Sequence, residues 1–156
     1  MIFNFDKVND TKLIGPSIFF IYKESDKIIS TSKLIKQLRN NSIIPNSETI
    51  ILKKRKDDIF SQKVRNLISH KILEKNNLAF VEKNLIKLSS YGKKIGTHID
   101  NLQKHNNNHT TIDQIQNNKK YQDLILQAKL NINFPSYLLD KIKNFELSNR
   151  LKKVLL

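Results

Sequence analysis

Between residues 58 and 75 the apolar side chains Phe60, Val64, Leu67, Ile68 and Ile72 recur at helical spacing, while Gln62, Arg65, Asn66 and Ser69 recur at intervals of three and four on another face. One face packs and the other reaches out, so the rest of the chain must supply a core for the first. Asp57 or Asp58 can cap this helix, and negative charge there suits the positive end of the helix dipole.

The neighbouring segments supply that core in short pieces. Residues 17–22, after the turn signal of Gly15 and Pro16, read as a strand of β-branched and aromatic side chains. Ser30, Thr31 and Ser32 offer caps to a helix that turns Leu34, Ile35 and Leu38 inward and Lys33, Lys36 and Arg39 to water, stopping near Asn40 and Asn41. After Pro45 and Asn46, Ser47 caps an expected short helix over 48–52, with Ile50, Ile51 and Leu52 to bury. Residues 78–82 and 85–88 read as a hairpin around Lys83 and Asn84. Ser89 or Ser90 then caps a helix that carries Tyr91, Ile95, Ile99 and Leu102.

The run of Asn and His from 105 to 109 has almost nothing to bury, so residues 104–111 read as a flexible linker and a domain boundary. Beyond it, 121–130 looks helical, Pro135 interrupts, and 137–142 and 146–155 read as two further short helices. The expectation is a mainly α fold with a small β component: a domain over 1–103 with its core in 30–103, and a helical C-terminal segment over 112–156.

The 156 residues suit one compact domain of about 100 residues with a smaller appendage. A hydrophobic share of 38% is below the roughly 45–50% of ordinary globular chains, which limits the core. The absence of cysteine excludes disulfides, thiolate zinc sites and cysteine nucleophiles, and predicts a cytoplasmic setting. Residues 1–10 lack the pattern of a signal peptide, and the apolar run 18–22 is far shorter than the ~20 residues of a membrane span, so no membrane partner is expected.

The net charge of +14 attracts polyanions at long range. Abundant Asn, Ile and Lys reflect codon bias as well as selection, so distribution matters more than the total. Residues 53–94 hold twelve Lys and Arg against Asp57, Asp58, Glu74 and Glu82, which is more than half of the excess.

Helix, short helix, longer helix, hairpin and closing helix over 30–103 resembles a winged helix-turn-helix, whose third helix lies in the major groove while the hairpin touches phosphates. The run from Asp58 to His70, with the later residues 85–94, resembles winged-helix modules of bacterial restriction-endonuclease-associated proteins. That resemblance implies duplex DNA as partner, with Gln62, Arg65, Asn66 and Ser69 reading bases. The chemistry agrees, because Arg pairs bidentately with guanine and Asn or Gln with adenine, whereas lysines mostly hold phosphates. Lys53, Lys54, Arg55, Lys63, Lys83, Lys87, Lys93 and Lys94 are the phosphate candidates. The end of the chain is similar to the start of the C-terminal domain of the bacterial RNA polymerase alpha subunit, through Phe145, Glu146, Leu147, Ser148, Arg150, Leu151 and Lys152. Lys153 stands where that family usually has Asn, and the family's helix-hairpin-helix has no counterpart.

No catalytic constellation is identifiable. Asp57 and Asp58 stand where a cap is expected rather than on the strand edge a metal nuclease wants. His105 and His109 have ligand spacing without an evident third ligand, so no metal and no cofactor are expected. Gly92 and Gly96 form an uninformative GxxxG pattern outside a long apolar span, His70 is expected to pack or cap, and Phe60, Phe80 and Tyr91 are expected in the core. The functional expectation is a non-enzymatic duplex-DNA-binding protein, a regulator or the recognition component of a restriction or defence system. The rival classes are an RNA-binding module, a winged helix that binds a protein partner or a second copy, and the DNA-binding part of a nuclease.

Overall fold

The computed structural model describes residues 3–54, 56–107 and 109–132. The chain is mainly helical with a small sheet. β1 (Phe3–Asn4) leads into α1 (Asp10–Lys23), β2 (Ile28–Ser30), α2 (Thr31–Asn40) and β3 (Ser42–Ile43). A single 3-10 turn (Asn46–Thr49) precedes α3 (Ile59–Ser69), α4 (Ile72–Lys75), the hairpin β4 (Ala79–Glu82) and β5 (Leu85–Leu88), then α5 (Ser90–His105), α6 (Ile112–Gln116) and α7 (Lys119–Ile132).

α1 replaces the strand expected over 17–22. Asn9 caps it by accepting from the Lys12 backbone N–H at 2.9 Å, and it runs through Pro16 without stopping. Every residue from Leu13 to Ile21 is buried, with α2, α3, α5 and α6 packed around it. A segment buried on all sides loses the one-sided periodicity that marks a surface helix, and a short apolar run then reads equally well as a strand. Packing also offsets the backbone hydrogen bond that Pro16 cannot make. The Phe3 ring meets Phe19 and Phe20 edge-on, each at 5.6 Å, which seats β1 against this central helix.

The sheet has the order β2-β5-β4, antiparallel throughout. Ile29, Ile86, Ala79 and Leu88 turn inward, and the opposite face carries Phe80, Leu85 and Lys87. Lys83 and Asn84 both take positive φ, as a two-residue type I′ connection requires. The hairpin therefore follows the expected pattern, except that Phe80 is 59% exposed rather than in the core. In a strand that buries Ala79, the next residue must face the other way.

Ser30 and Ser89 cap α2 and α5 as expected, each accepting from the backbone N–H three residues on. The short helix expected over 48–52 is instead the 3-10 turn followed by extended chain. Ile51 bridges to Asp58 and the Leu52 N–H donates to the Asp57 carbonyl at 2.9 Å, leaving Ile50 and Ile51 exposed. The helix expected to reach residue 75 breaks after Ser69, where Lys71 takes a left-handed conformation and α4 restarts to bury Leu73.

Residues on both sides of the expected linker enter one apolar cluster. α5 continues to His105, Thr110 is buried, and Ile112, Ile115, Tyr121 and Ala128 join the core around α1. The polar run is short enough for Thr110 to reach back, its hydroxyl donating to the Leu102 carbonyl at 3.3 Å. The helices expected at 137–142 and 146–155, and the stretch similar to the polymerase alpha subunit, lie outside the described residues. Among the described residues, no helix is long and apolar enough to cross a membrane.

Candidate nucleic-acid interface

α3 begins at Asp58, whose carboxylate accepts from the Ser61 backbone N–H at 2.8 Å. The other carboxylate oxygen meets the Arg39 guanidinium at 2.5 Å, and Arg39 also donates to the Ser61 hydroxyl and lies over the Phe60 ring. Arg39, expected to face water, thus ties α2 to α3. Burial opposes ionisation of Asp58, but the Ser61 N–H and the Arg39 charge outweigh it and hold the carboxyl below its usual range. Both faces of α3 are then set: Phe60, Val64 and Leu67 are fully buried, and Gln62, Arg65 and Asn66 on the opposite side are half-buried.

On that opposite side stand the four residues expected to read bases. Gln62 donates to the Asn66 side-chain oxygen at 2.8 Å, an i, i+4 link that joins two of them. Ser69 is exposed at the last turn. Arg65 is 43% exposed and forms an ion pair with Asp57, so its guanidinium is already oriented by the protein. Arg65 and Ser69 line an open groove of about 630 Å³ together with Lys71, Thr31, Ser32 and Asn84 of the hairpin turn. End of α3, start of α2 and tip of the hairpin therefore meet at one surface.

The phosphate candidates divide. Lys53 and Lys54 are exposed on the bridge-closed loop before α3, Lys83 is exposed at the hairpin turn, and Lys87 is exposed on the outer sheet face. Lys93 and Lys94 are exposed on the first turn of α5, with the Lys94 ammonium 5.1 Å from the Tyr91 ring centre. Among the described residues none of these six forms an ion pair. Arg55 lies outside the described residues.

Lys63 is a correction. Its ammonium donates to the Val8 carbonyl at 2.9 Å and to the buried Glu48 carboxylate at 2.8 Å. It crosses from α3 to the chain on either side of α2 and is committed to holding the fold, since withdrawing it would leave Glu48 buried and uncompensated.

Lys71 joins the groove without having been singled out from the sequence. It read as one more position of a continuous helix, and a left-handed Lys has no composition signal of its own. Asn84 carried a better clue, as Asn readily takes the positive φ of a type I′ turn. His70, expected to pack or cap, is the C-cap residue of α3, its backbone N–H donating to the Asn66 carbonyl at 2.9 Å while the residue itself is exposed. Comparisons with protein families, curated proteins and solved structures give no match for this chain.

Proposed function

We propose that the chain is a non-enzymatic duplex-DNA-binding protein of the winged-helix type, a regulator or the recognition component of a restriction or defence system. One observation carries the reading: Arg65 and Ser69 at the end of α3, Asn84 at the turn of the β4–β5 hairpin and Lys71 line a single groove. Support also comes from the element order α1, β2, α2, α3, β4, β5, with β3 and the 3-10 turn interposed before α3 and α4 after it, and from the sheet order β2-β5-β4. In this reading α1 is the first helix and α2 and α3 are the helix-turn-helix, so that α2 takes the place expected for the short helix over 48–52 while the reading helix is the same. α3 then enters the major groove with Gln62, Arg65, Asn66 and Ser69, and Lys53, Lys54, Lys83 and Lys87 hold phosphates.

The test is a salt titration of binding to duplex DNA, single-stranded DNA and RNA. Duplex affinity is expected to dominate and to fall on the order of a thousandfold between about 50 and about 200 mM salt for roughly six phosphate contacts. Arg65→Ala is expected to cost about 1–3 kcal/mol on the preferred site and relax one base position, whereas Lys83→Ala weakens all duplexes alike. Equal binding of all three polymers would leave only non-specific charge attraction.

A second reading, a winged helix that docks a protein, draws on Phe80 at 59% and Leu85 at 48% exposure on the outer sheet face. Scattered exposed apolar residues are common, so two of them favour it less than the groove favours DNA. Failure to bind duplex together with a molecular mass that changes on Phe80→Ser would reverse that order.

A further inference from the structure

Asp57 is neither the cap of α3 nor part of any acidic cluster that could hold a metal among the described residues. It stands one residue before the cap, and its backbone is locked because its carbonyl accepts the Leu52 N–H at 2.9 Å inside the loop closed by the Ile51–Asp58 bridge. From that fixed point its carboxylate engages Nη1 of Arg65, two turns into α3. The pair is partly shielded, with Asp57 27% and Arg65 43% exposed at their side chains.

We infer that Asp57 is a specificity-determining positioning residue: it orients Arg65 so that the arginine reads a guanine edge instead of gripping whichever phosphate is near. The inference rests on the duplex-DNA reading above. A guanidinium has five N–H donors in a rigid fork, so occupation of Nη1 leaves Nε and Nη2, two adjacent donors that match the O6 and N7 acceptors of guanine. Holding the long side chain in place before binding reduces the rotamer entropy lost on docking. The carboxylate acts a second way. It places a negative charge beside Arg65, which disfavours a fully charged phosphate more than the neutral guanine edge. Asp57 therefore lowers general affinity and raises discrimination, whereas the exposed lysines around it raise affinity for every sequence.

The experiment uses the full chain, a duplex selected from a randomised pool and a scrambled duplex of equal length. Asp57→Asn keeps the volume and the Leu52 backbone bond but removes the charge. It is expected to lower the ratio of selected to scrambled affinity by about tenfold, within the range of one bidentate base contact, with scrambled binding unchanged or tighter. Asp57→Glu restores part of the ratio. In an Arg65→Ala background Asp57→Asn has no further effect on the ratio, because the two act as one unit. Asp57→Ser decides the question if the Asn variant does not fold, as it too keeps the backbone bond. Equal changes on both duplexes, or an effect that persists without Arg65, overturn the role given to Asp57 while leaving DNA binding intact. A wild-type chain that selects no duplex overturns the proposed function itself and the inference with it.

Discussion

Asp58 does two jobs that can be separated by titration. As the α3 cap it accepts from Ser61, and as an anion it meets Arg39 of α2. Asp58→Ala is expected to destabilise the chain by about 0.5–2 kcal/mol for the cap alone, and further for the stranded Arg39. Asp58→Asn keeps a capping oxygen and loses only the charge. Because the folded carboxyl is held below its usual range, its charge contribution is complete above the ordinary carboxylate value of about 4 and disappears as pH falls through the lower folded value. The stability gap between wild type and Asp58→Asn, measured by urea denaturation, is expected at pH 7 and to narrow below about pH 4. A gap that stays constant through that range would mean the charge of Asp58 contributes nothing. Lys63 shows the limit of reading a residue by type, since a lysine on a basic helix looks like a phosphate contact until Glu48 and the Val8 carbonyl are found beside it.

Elements whose ends carry their own chemistry were legible one by one. α2 and α5 begin at serines that cap them, and the hairpin turns at two residues suited to positive φ. α1 was not legible, because its contiguous buried run and internal Pro16 remove the local signals of a helix. The glycines of α5 likewise acquire meaning only from what lies opposite. A Cβ on Gly92 would stand 2.1 Å from the Leu78 carbonyl oxygen, and one on Gly96 would stand 2.6 Å from Tyr22 of α1. Those approaches let α5 sit directly on the start of the hairpin and on the central helix. Gly92→Ala gains helix propensity, yet it is expected to destabilise by about 1–3 kcal/mol because backbone rather than a flexible side chain must move. A melting temperature equal to or above wild type would show that the contact relaxes without cost.

At the scale of the whole molecule, α6 and α7 close the core. Ile115 and Tyr121 reach α1 at Gly15, where an added Cβ would lie 3.2 and 3.4 Å from them. Ile112, Ile115 and Tyr121 are each almost fully buried, and burial of a large apolar side chain contributes about 1.5–3 kcal/mol. A total stability of about 5–15 kcal/mol cannot lose three of these without consequence. A chain ending at Gln103 is therefore expected to lose the cooperative urea unfolding of the full chain. If the shorter chain unfolds with an unchanged midpoint, α6 and α7 are an appendage and 104–111 is the boundary its composition suggests. The sequence by itself determined the caps of α2, α3 and α5, the hairpin turn, the two-faced α3 and the concentration of positive charge over 53–94, because each depends on residues a few positions apart. Tertiary structure alone decided that residues 17–22 are helix, that Lys63 and Arg39 hold the fold, that Asp57 engages Arg65, and that α6 and α7 share the core. Those outcomes depend on partners distant along the chain, and burial or charge pairing across that distance overrides what any local pattern prefers.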